Sequence, residues 1–464
     1  MTPALLSLVL SLAATPDADR AFARQVFQEL VEIDTSQSNG DTTKAAEAVA
    51  ARLRAAGFRP ADIQIFGPSP HRGNLVARLR GSGHAPPLLL LAHLDVVDAR
   101  RADWTVEPFR FVEQDGYFYG RGTQDDKSLA ALWISTLVRL RREGRPLDRD
   151  VVLALTADEE AGPENGVAWL LAHHRPLIDA GLCLTEGAGG ELKDGRRLSI
   201  DVQPTEKAYL TLELTVTNKG GHSSLPEPDN AIVRLADALG RVHRHAFPVE
   251  VGDVARAYFR RMAALTPGPL AADMRAVAEA HPDPAAAERL SRVPYYNARL
   301  RTTCVPTQIA GGHAENALPQ SARATVNCRV LPGHGADEVM RTLAEVIADP
   351  AVKMAIKGPF DPGPPSPLPA DFLSVLERAG ATVWPGVPVV PVLLTGATDG
   401  RLLRAAGIPT YGLTGQFVDI ADIRAHGRDE RLLVSSFYEA QDFLYRVVVD
   451  LTRGGAAAGP RSAP

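Results

Sequence analysis

The sequence has little cysteine, no excess of basic charge and no long apolar run beyond its N-terminal segment. The three cysteines in 464 residues have neither the spacing of a metal-binding pair nor that of a disulfide framework. We expect at most one bridge and favour free, buried thiols for Cys183, Cys304 and Cys328. A net charge of -5 without a basic stripe argues against a nucleic-acid partner. The apolar runs are too short for a stable membrane span.

The N-terminal segment raises the question of export. Ala4–Ala14 is apolar over about the length of the hydrophobic core of a signal peptide, and polar residues follow it. The segment lacks the Lys or Arg that usually precedes such a core, so the alternative is a hydrophobic first helix. We predict a signal peptide within residues 1–19 and a periplasmic or secreted protein. Without cleavage, the protein would be cytoplasmic.

The order of apolar patterns predicts the domain organisation. Strand-like runs alternate with helical patterns in the first half, which predicts an α/β fold with a mostly parallel sheet covered on both faces. From Tyr209 the residues alternate between apolar and polar, and the Ala-rich segment Glu250–Ser291 is helical in pattern. The strand–helix alternation returns after a Pro-rich linker. We therefore predict a catalytic domain in two parts, residues 20–208 and 357–453, with an inserted α+β unit at residues 209–356 between them. Residues 454–464 are predicted to form a disordered tail.

Five residues of the types that bind metals lie at or just after apolar runs: His93, Asp125, Glu160, Glu186 and His426. In open α/β sheets, functional groups collect beyond the carboxyl ends of the strands. Zinc binds imidazole nitrogen and carboxylate oxygen, and two zinc ions about 3.5–4 Å apart need a bridging carboxylate. Asp125, at a predicted strand-to-helix turn, suits the bridge. His93 and Glu186 then complete one site. Glu160 and His426 complete the other.

Two further carboxylates suit catalytic roles. Asp95 lies two residues after His93 and can accept the ring N–H of that imidazole that faces away from the metal, which fixes the tautomer. Glu159 directly precedes Glu160, and adjacent side chains of an extended segment point in different directions. We predict that Glu159 is the general base that takes a proton from the attacking water. Such a site hydrolyses amides.

Each of these residues has an ordinary structural explanation when it is taken alone. Asp125 suits a helix N-cap, an acidic pair is usually a solvated turn, and Glu186 suits an ion pair with an arginine. His426 is one of twelve histidines. The joint occurrence of five suitable residues at strand ends or in adjoining loops favours the metal site.

Three motifs around these residues resemble those of a known enzyme family. They are the metal motif Ala92–Asp95, the bridging-aspartate motif Tyr119–Lys127 and the base-plus-ligand motif Thr156–Gly162. The chain resembles the co-catalytic di-zinc metallopeptidases that include carboxypeptidase S, glutamate carboxypeptidase, aminoacylase, dipeptidases and the succinyl-diaminopimelate desuccinylases. The resemblance covers about residues 20–450, with Ser128 where the family usually has glycine. It implies two Zn²⁺ ions per chain, with Co²⁺ or Mn²⁺ as alternatives, and a lid domain of the dimerisation type at the inserted unit.

The resemblance also implies substrate contacts in the lid. Gly221–Pro226 resembles a motif whose histidine, His222, reaches the substrate. Asn316 and Arg329 match positions that meet the substrate's carboxylate, and an arginine fork binds a carboxylate in bidentate fashion. The structural alternatives are a surface histidine beside a turn and an exposed strand arginine. The loop Gly396–Asp399 resembles one that lines the pocket.

The implied function is hydrolysis of short peptides or N-acyl amino acids that have a free carboxylate, as by a carboxypeptidase or dipeptidase. The protein is then a monomer or a lid-mediated homodimer. A biosynthetic deacylase of the desuccinylase or deacetylase type is the alternative within the same mechanism. A non-catalytic peptide-binding protein of the same fold is less favoured, because it has no need for the general base Glu159.

Overall fold

The computed structural model describes residues 16–453 apart from 161 and 163. Most of the predicted signal peptide and the whole predicted tail lie outside the described residues, and residues 16–19 begin the first helix. Within the described residues, no helix is both long and apolar enough to cross a membrane.

The helices and strands of the described residues follow in chain order. The α-helices are α1 Pro16–Glu32, α2 Thr42–Ala55, α3 Lys127–Glu143, α4 Gly166–His173, α5 Arg175–Ile178, α6 Ala231–Arg244, α7 Asp253–Leu265, α8 Pro269–Val277, α9 Pro284–Ser291, α10 Pro294–Leu300, α11 Ala336–Ile347, α12 Ala370–Val383, α13 Gly400–Ala405 and α14 Val434–Leu451. The strands are β1 Ile63–Phe66, β2 Asn74–Leu79, β3 Leu88–His93, β4 Val112–Gln114, β5 Tyr117–Tyr119, β6 Val151–Thr156, β7 Leu182–Thr185, β8 Gly190–Lys193, β9 Arg196–Glu206, β10 Ala208–Thr217, β11 Gly221–His222, β12 Thr303–Gly311, β13 Ala317–Leu318, β14 Ser321–Val330, β15 Lys353–Ile356, β16 Val389–Leu394, β17 Thr410–Gly412, β18 Phe417–Asp419 and β19 Arg431–Leu433.

A ten-stranded sheet forms the centre of the larger domain. Its order is β1-β2-β6-β3-β7-β17-β9-β8-β18, and β16 also pairs with β9. The four strands β6, β3, β7 and β17 are parallel to one another. Strands β3 and β6 are buried along their whole length, as the continuous apolar sequences of parallel strands require. The predicted α/β fold with a mostly parallel sheet is confirmed.

Helices cover both faces of this sheet, because successive side chains of a strand point to opposite faces. Leu88 and Leu90 of β3 belong to a hydrophobic cluster with α1, α2, α3, α12 and α14. Leu89 and Leu91 belong to a second cluster with α4, α5 and α13. The strand ends are therefore held between two helical layers, which keeps the carboxyl edge of the sheet in place for the site described below.

A smaller antiparallel sheet lies in the unit that was predicted to be a lid, and this unit is called the lid below. The order of the sheet is β12-β14-β10-β15, and α6 and α11 contribute the apolar residues that pack with it. Every second residue of β10, including Leu210, Leu212 and Leu214, is buried, as the alternating pattern predicts. The two short strands β11 and β13 pair as a separate ribbon. The chain enters the lid at Lys207, between β9 and β10.

The helices α7–α10 differ from their predicted placement within the lid. Tyr258, Phe259 and Met274 share a hydrophobic cluster with Val390 and Val392 of β16. These helices therefore pack on the large sheet, and the lid cluster contains none of their described residues. Helical periodicity shows that a segment has an apolar face, but it does not show which surface covers that face.

The expectation of free thiols is wrong for two of the three cysteines. Cys304 and Cys328 lie directly opposite each other on β12 and β14 and form a disulfide, while Cys183 is free and buried. The antiparallel register brings the pair together, and this register was not apparent from the spacing of the cysteines in the chain.

Candidate metal centre

The strand ends bring three of the five candidate ligands together. His93 is the last residue of β3, Glu186 follows β7 directly, and Glu160 lies shortly after β6. Because β6, β3 and β7 are parallel neighbours, they end at the same edge of the sheet. Asp125 lies in the loop before α3, and His426 lies in the loop between β18 and β19.

These residues form two groups that share Asp125. In one group the ligand atoms of His93, Asp125 and Glu186 lie within 4.8 Å of one another, and the same holds for Asp125, Glu160 and His426. His93 Nε2 is 2.9 Å from Asp125 Oδ1, and His426 Nε2 is 3.1 Å from Asp125 Oδ2. One carboxylate thus presents a different oxygen to each imidazole, as a bridging ligand does.

The spacing of the remaining ligand atoms also fits a metal ion. His426 Nε2 is 2.9 Å from Glu160 Oε2, and His93 Nε2 is 3.9 Å from Glu186 Oε1. Bonds of about 2.0–2.2 Å to a tetrahedral zinc ion separate two ligand atoms by roughly 3.3–3.6 Å. The observed distances lie on both sides of this range, so small side-chain shifts would suffice.

The electrostatics of the cluster favour a cation. Burial, followed by repulsion from neighbouring carboxylates, raises the pKa of Glu186 well above its usual value. Hydrogen bonds to Asp125 and Glu160 raise the pKa of His426 to about 10. Both shifts favour protonation, because acidic groups are concentrated here without enough positive charge. Metal ions at the same place would supply that charge and reverse the preference.

Asp95 contacts the site differently from the prediction. The Nδ1 atom of His93 lies 2.9 Å from the main-chain oxygen of Asp95 but 3.6 Å from its carboxylate. The Asp95 carboxylate instead accepts the backbone N–H groups of Glu159 at 3.2 Å and Glu160 at 3.0 Å. Asp95 therefore orients His93 through its main chain and holds the loop of the predicted base and ligand through its side chain.

The ordinary structural explanations for Asp125, Glu186 and the acidic pair do not agree with the structure. The residue before α3 in the N-cap position is Asp126, and its side chain makes no capping hydrogen bond. Among the described residues, the ion-pair partner of Glu186 is His93 and not an arginine. Glu159 and Glu160 are partly buried, so they do not form a fully solvated turn.

A buried ion pair that the sequence motifs did not identify supports the bridging carboxylate. Glu430 Oε1 accepts the backbone N–H groups of Gln124 at 2.7 Å and Asp125 at 3.1 Å. Its other oxygen accepts a hydrogen bond from Arg121 at 2.6 Å. Arg121 also donates to the main-chain oxygen of His426 at 3.4 Å. The Arg121–Glu430 pair connects the loop of Asp125 with the loop of His426. The only sign of this pair in the sequence was a charged residue near each of these two ligands.

The candidate metal centre lies in the wall of a cleft of about 550 Å³. Its lining includes Asp125, Glu186 and His426, the predicted substrate residue Arg329, and Arg299 of α10. Residues 396–398 of the predicted pocket loop also line it.

The structure places the other two predicted substrate residues outside this cleft. His222 lies on β11, and Asn316 lies just before β13. The backbone N–H of Ser223 donates to the main-chain oxygen of Asn316 at 3.0 Å, so the two predicted residues occupy one ribbon of the lid. Both side chains are exposed, and neither lines the cleft.

The fold and the two candidate ligand groups indicate the class of metal-dependent hydrolases, and comparison with known proteins identifies the family. Residues 89–450 match the profile of Peptidase family M20/M25/M40. The N-fatty-acyl-amino acid synthase/hydrolase PM20D1 of Xenopus tropicalis is 32% identical over 366 residues, which are 76% of this chain and 70% of the relative. Probable carboxypeptidase S-like 2 of Dictyostelium discoideum is 28% identical over 377 residues, 78% of this chain and 73% of the relative.

A solved structure shows the same fold. The M20 family metallo-carboxypeptidase Sso-CP2 from Sulfolobus solfataricus superposes with a TM-score of 0.71 at 17% identity, over 92% of this chain and 98% of that chain. The chain belongs to the M20 peptidase family, a family of metal-dependent hydrolases of amide bonds. The predicted resemblance is confirmed.

Proposed function

We propose that the protein is a di-zinc hydrolase of N-acyl amino acids or short peptides with a free carboxylate. The observation that carries the proposal is the Asp125 carboxylate, whose two oxygens face two histidines that each have a further carboxylate nearby. Nitrogen and oxygen ligands of this kind suit zinc, and also cobalt or manganese. The relatives named for fatty-acyl-amino acids and for carboxypeptidase S support the two substrate classes.

The cleft favours substrates with an apolar acyl group or side chain. Its lining includes a set of aliphatic residues besides the metal candidates and arginines: Val392, Leu394, Val418, Ile420 and Ile423. Burial of an aliphatic chain against such a wall contributes roughly 0.8 kcal/mol for each CH₂ group. An acyl amino acid with an aliphatic chain can use this wall and still present its carboxylate to an arginine.

Each residue of the site has a defined task in this proposal. When bound, the two metal ions supply the Lewis acidity that polarises the scissile carbonyl and acidifies a water. Glu159 removes a proton from the attacking water and passes it to the leaving amine. Asp95 holds the backbone of Glu159 and Glu160 during these steps. Arg329, at the cleft wall, binds the substrate's carboxylate.

His222 is proposed to stabilise the developing oxyanion. Its Nδ1 accepts the backbone N–H of Ser224 at 3.2 Å, so the neutral ring carries its proton on Nε2 and can donate a hydrogen bond. The exposed position of His222 means that the lid must move, or that a second copy must supply the histidine, before this bond can form. Asn316 is proposed to join His222 in substrate binding, since it lies on the same ribbon.

The proposal predicts metal content and substrate range together. Protein purified without chelator should contain about two equivalents of metal, as expected for a two-metal hydrolytic site. It should hydrolyse members of a panel of N-acyl amino acids and dipeptides, lose activity after chelation and regain it with zinc. A metal content near zero with full activity would contradict the metal centre. Absence of hydrolysis by the metal-loaded protein across the panel would contradict the substrate classes.

Export is proposed on the basis of the N-terminal sequence and the disulfide. The bridge between Cys304 and Cys328 is supporting evidence, because disulfides persist mainly in oxidising compartments. Protein isolated from its native host without reductant should begin near Ala14 or Thr15. After denaturation it should titrate one free thiol, that of Cys183. An intact Met1 together with three titratable thiols would place the protein in the cytoplasm.

The lid surface favours the homodimer over the monomer. Strand β12 is an edge strand of the lid sheet and exposes Val305 and Ile309. Helix α6, which contacts this strand, exposes Ile232 and Val233. An edge strand beside exposed apolar side chains is a typical site for pairing with another chain. The molar mass in solution distinguishes the two states.

A further inference from the structure

We propose that Arg299, supplied by the helices inserted between the lid strands, binds the substrate's carboxylate together with Arg329. The inference rests on the proposed function and adds a specificity-determining residue to it. It gives the inserted segment α7–α10, which packs on the large sheet, a task in substrate recognition.

The position of Arg299 is the first observation. Arg299 lies on α10 and is only 7% exposed, and it lines the same cleft as Asp125, Glu186 and Arg329. It also lines a second cavity of about 490 Å³. The residue therefore borders two open spaces although most of it is buried.

Aromatic rings hold the guanidinium of Arg299 in place. Its central carbon is 3.8 Å from the centre of the Tyr295 ring and 5.0 Å from that of Tyr258. Its Nη1 donates to the main-chain oxygen of Tyr295 at 3.0 Å. Stacking of this kind orients the planar fork without neutralising its charge.

Arg299 lacks an ion-pair partner among the residues that the structure describes. No carboxylate oxygen lies within 4.0 Å of its guanidinium there, and its buried Nε has no hydrogen-bond partner. The nearby Glu191 accepts the hydroxyl of Tyr258 at 3.2 Å and that of Tyr295. Burial, followed by the charge of Glu191, raises the pKa of Asp201 to about 8. Glu191 and Asp201 both raise the pKa of Arg299 through their charges, but neither carboxylate forms a direct ion pair with it. A buried guanidinium without a directly bonded carboxylate favours binding of an anion.

Arg329 is in a similar state beside the same cleft. Its guanidinium lies 4.5 Å from the ring centre of Tyr209, and no described carboxylate pairs with it. Lys207 connects the two arginines, because it donates to the main-chain oxygens of Ala298 at 3.0 Å and Arg301 at 2.7 Å, on both sides of Arg299. Lys207 also lies directly before β10, which pairs with the strand of Arg329. Two unpaired arginines are thus held at one cleft.

A binding experiment tests the inference directly. We would measure the affinity of N-acyl amino acids and of their C-terminal amides by calorimetry, in metal-loaded protein that also carries Glu159→Gln to prevent turnover. Arg299→Gln should weaken binding of the acids roughly 10- to 100-fold, the range expected for a charge-assisted hydrogen bond. Binding of the amides should change by less than about 3-fold. Arg299→Lys should recover part of the loss, since it keeps the charge but not the planar fork.

The matched control is Arg292→Gln, because Arg292 is an arginine of the same insertion with a side chain that is 74% exposed. It should leave both affinities unchanged. The double change Arg299→Gln with Arg329→Gln should cost less than the product of the two single losses, because both arginines bind one carboxylate. Metal content should stay at the level of the unmodified protein throughout.

The outcomes separate this inference from the proposed function. Equal loss of acid and amide binding in both Arg299 variants, or unchanged binding of the acids, would overturn the inference and make Arg299 a structural residue. If the acids bind and depend on Arg299 but the protein with Glu159 intact does not hydrolyse them, the inference stands and the proposed hydrolase function fails.

Discussion

Replacement of Glu159 by glutamine should lower kcat by about 10²–10⁴-fold and leave two equivalents of metal in the protein. Glutamine keeps the shape and polarity of the side chain but cannot take a proton at neutral pH. The backbone of residue 159 should stay in place, because its N–H group is held by the Asp95 carboxylate. The adjacent Glu160, and not Glu159, contacts His426, so the ligand set should remain complete.

The control for this variant is Glu164→Gln, on the same loop but exposed to solvent. It should retain full activity and metal content. Loss of one metal equivalent from Glu159→Gln would mean that Glu159 and Glu160 have the opposite roles. Full activity would remove Glu159 from the mechanism altogether. Metal analysis and steady-state kinetics on the same preparation distinguish these results.

The sequence was informative about the site where local chain geometry determines it. His93 ends a strand and Glu186 directly follows one, and the apolar sequences of both strands mark them as buried and parallel, so their meeting at one edge follows from the fold class. Asp125 and His426 lie in loops, so the prediction that grouped them rested on their residue types and on the resemblance stated afterwards, and not on the fold class. The structure brings all these residues together in the predicted arrangement of two groups with one shared carboxylate.

The supporting contacts were not predictable in the same way. Glu430 reaches the backbone of Asp125 across 305 positions of the chain, and Arg121 reaches Glu430 across 309. Such bonds depend on how two loops pack, for which apolar periodicity contains no signal. The same reason applies to α7–α10, whose apolar faces could cover either domain. It also applies to the Asp95 carboxylate, which lies nearer to two backbone N–H groups than to the imidazole two residues before it.

The position of the lid is the other feature that the sequence did not determine. The motif around His222 is present, but the histidine is exposed and outside the cleft. A strand pattern defines the sheet to which a residue belongs, whereas the angle between two domains depends on the hinge and on any ligand between them. Arg329, near the end of β14, lines the same cleft as the metal candidates in this arrangement.

Asp125→Ala should have the largest effect on metal content of any single substitution. Both ligand groups include this carboxylate, so the variant should lose both metal ions. Lewis-acid stabilisation of the transition state amounts to several kcal/mol. About 4 kcal/mol corresponds to roughly a 10³-fold loss of rate, so kcat/KM should fall at least that far.

Substitution of the unshared ligands should affect one metal position each. Glu186→Ala removes a ligand only from the group with His93, and His426→Ala only from the group with Glu160, so each variant should retain about one equivalent. Dilute chelator should remove the ion of the His426 group more easily than the ion of the His93 group, because the side chain of His426 is 54% exposed whereas that of His93 is 2% exposed. Elemental analysis and metal titration calorimetry measure these stoichiometries without reference to activity. Two equivalents in Asp125→Ala would contradict a bridging role for Asp125 and indicate two sites that do not share a ligand. Loss of both ions from all three variants would contradict the assignment of Glu186 and His426 to one metal position each.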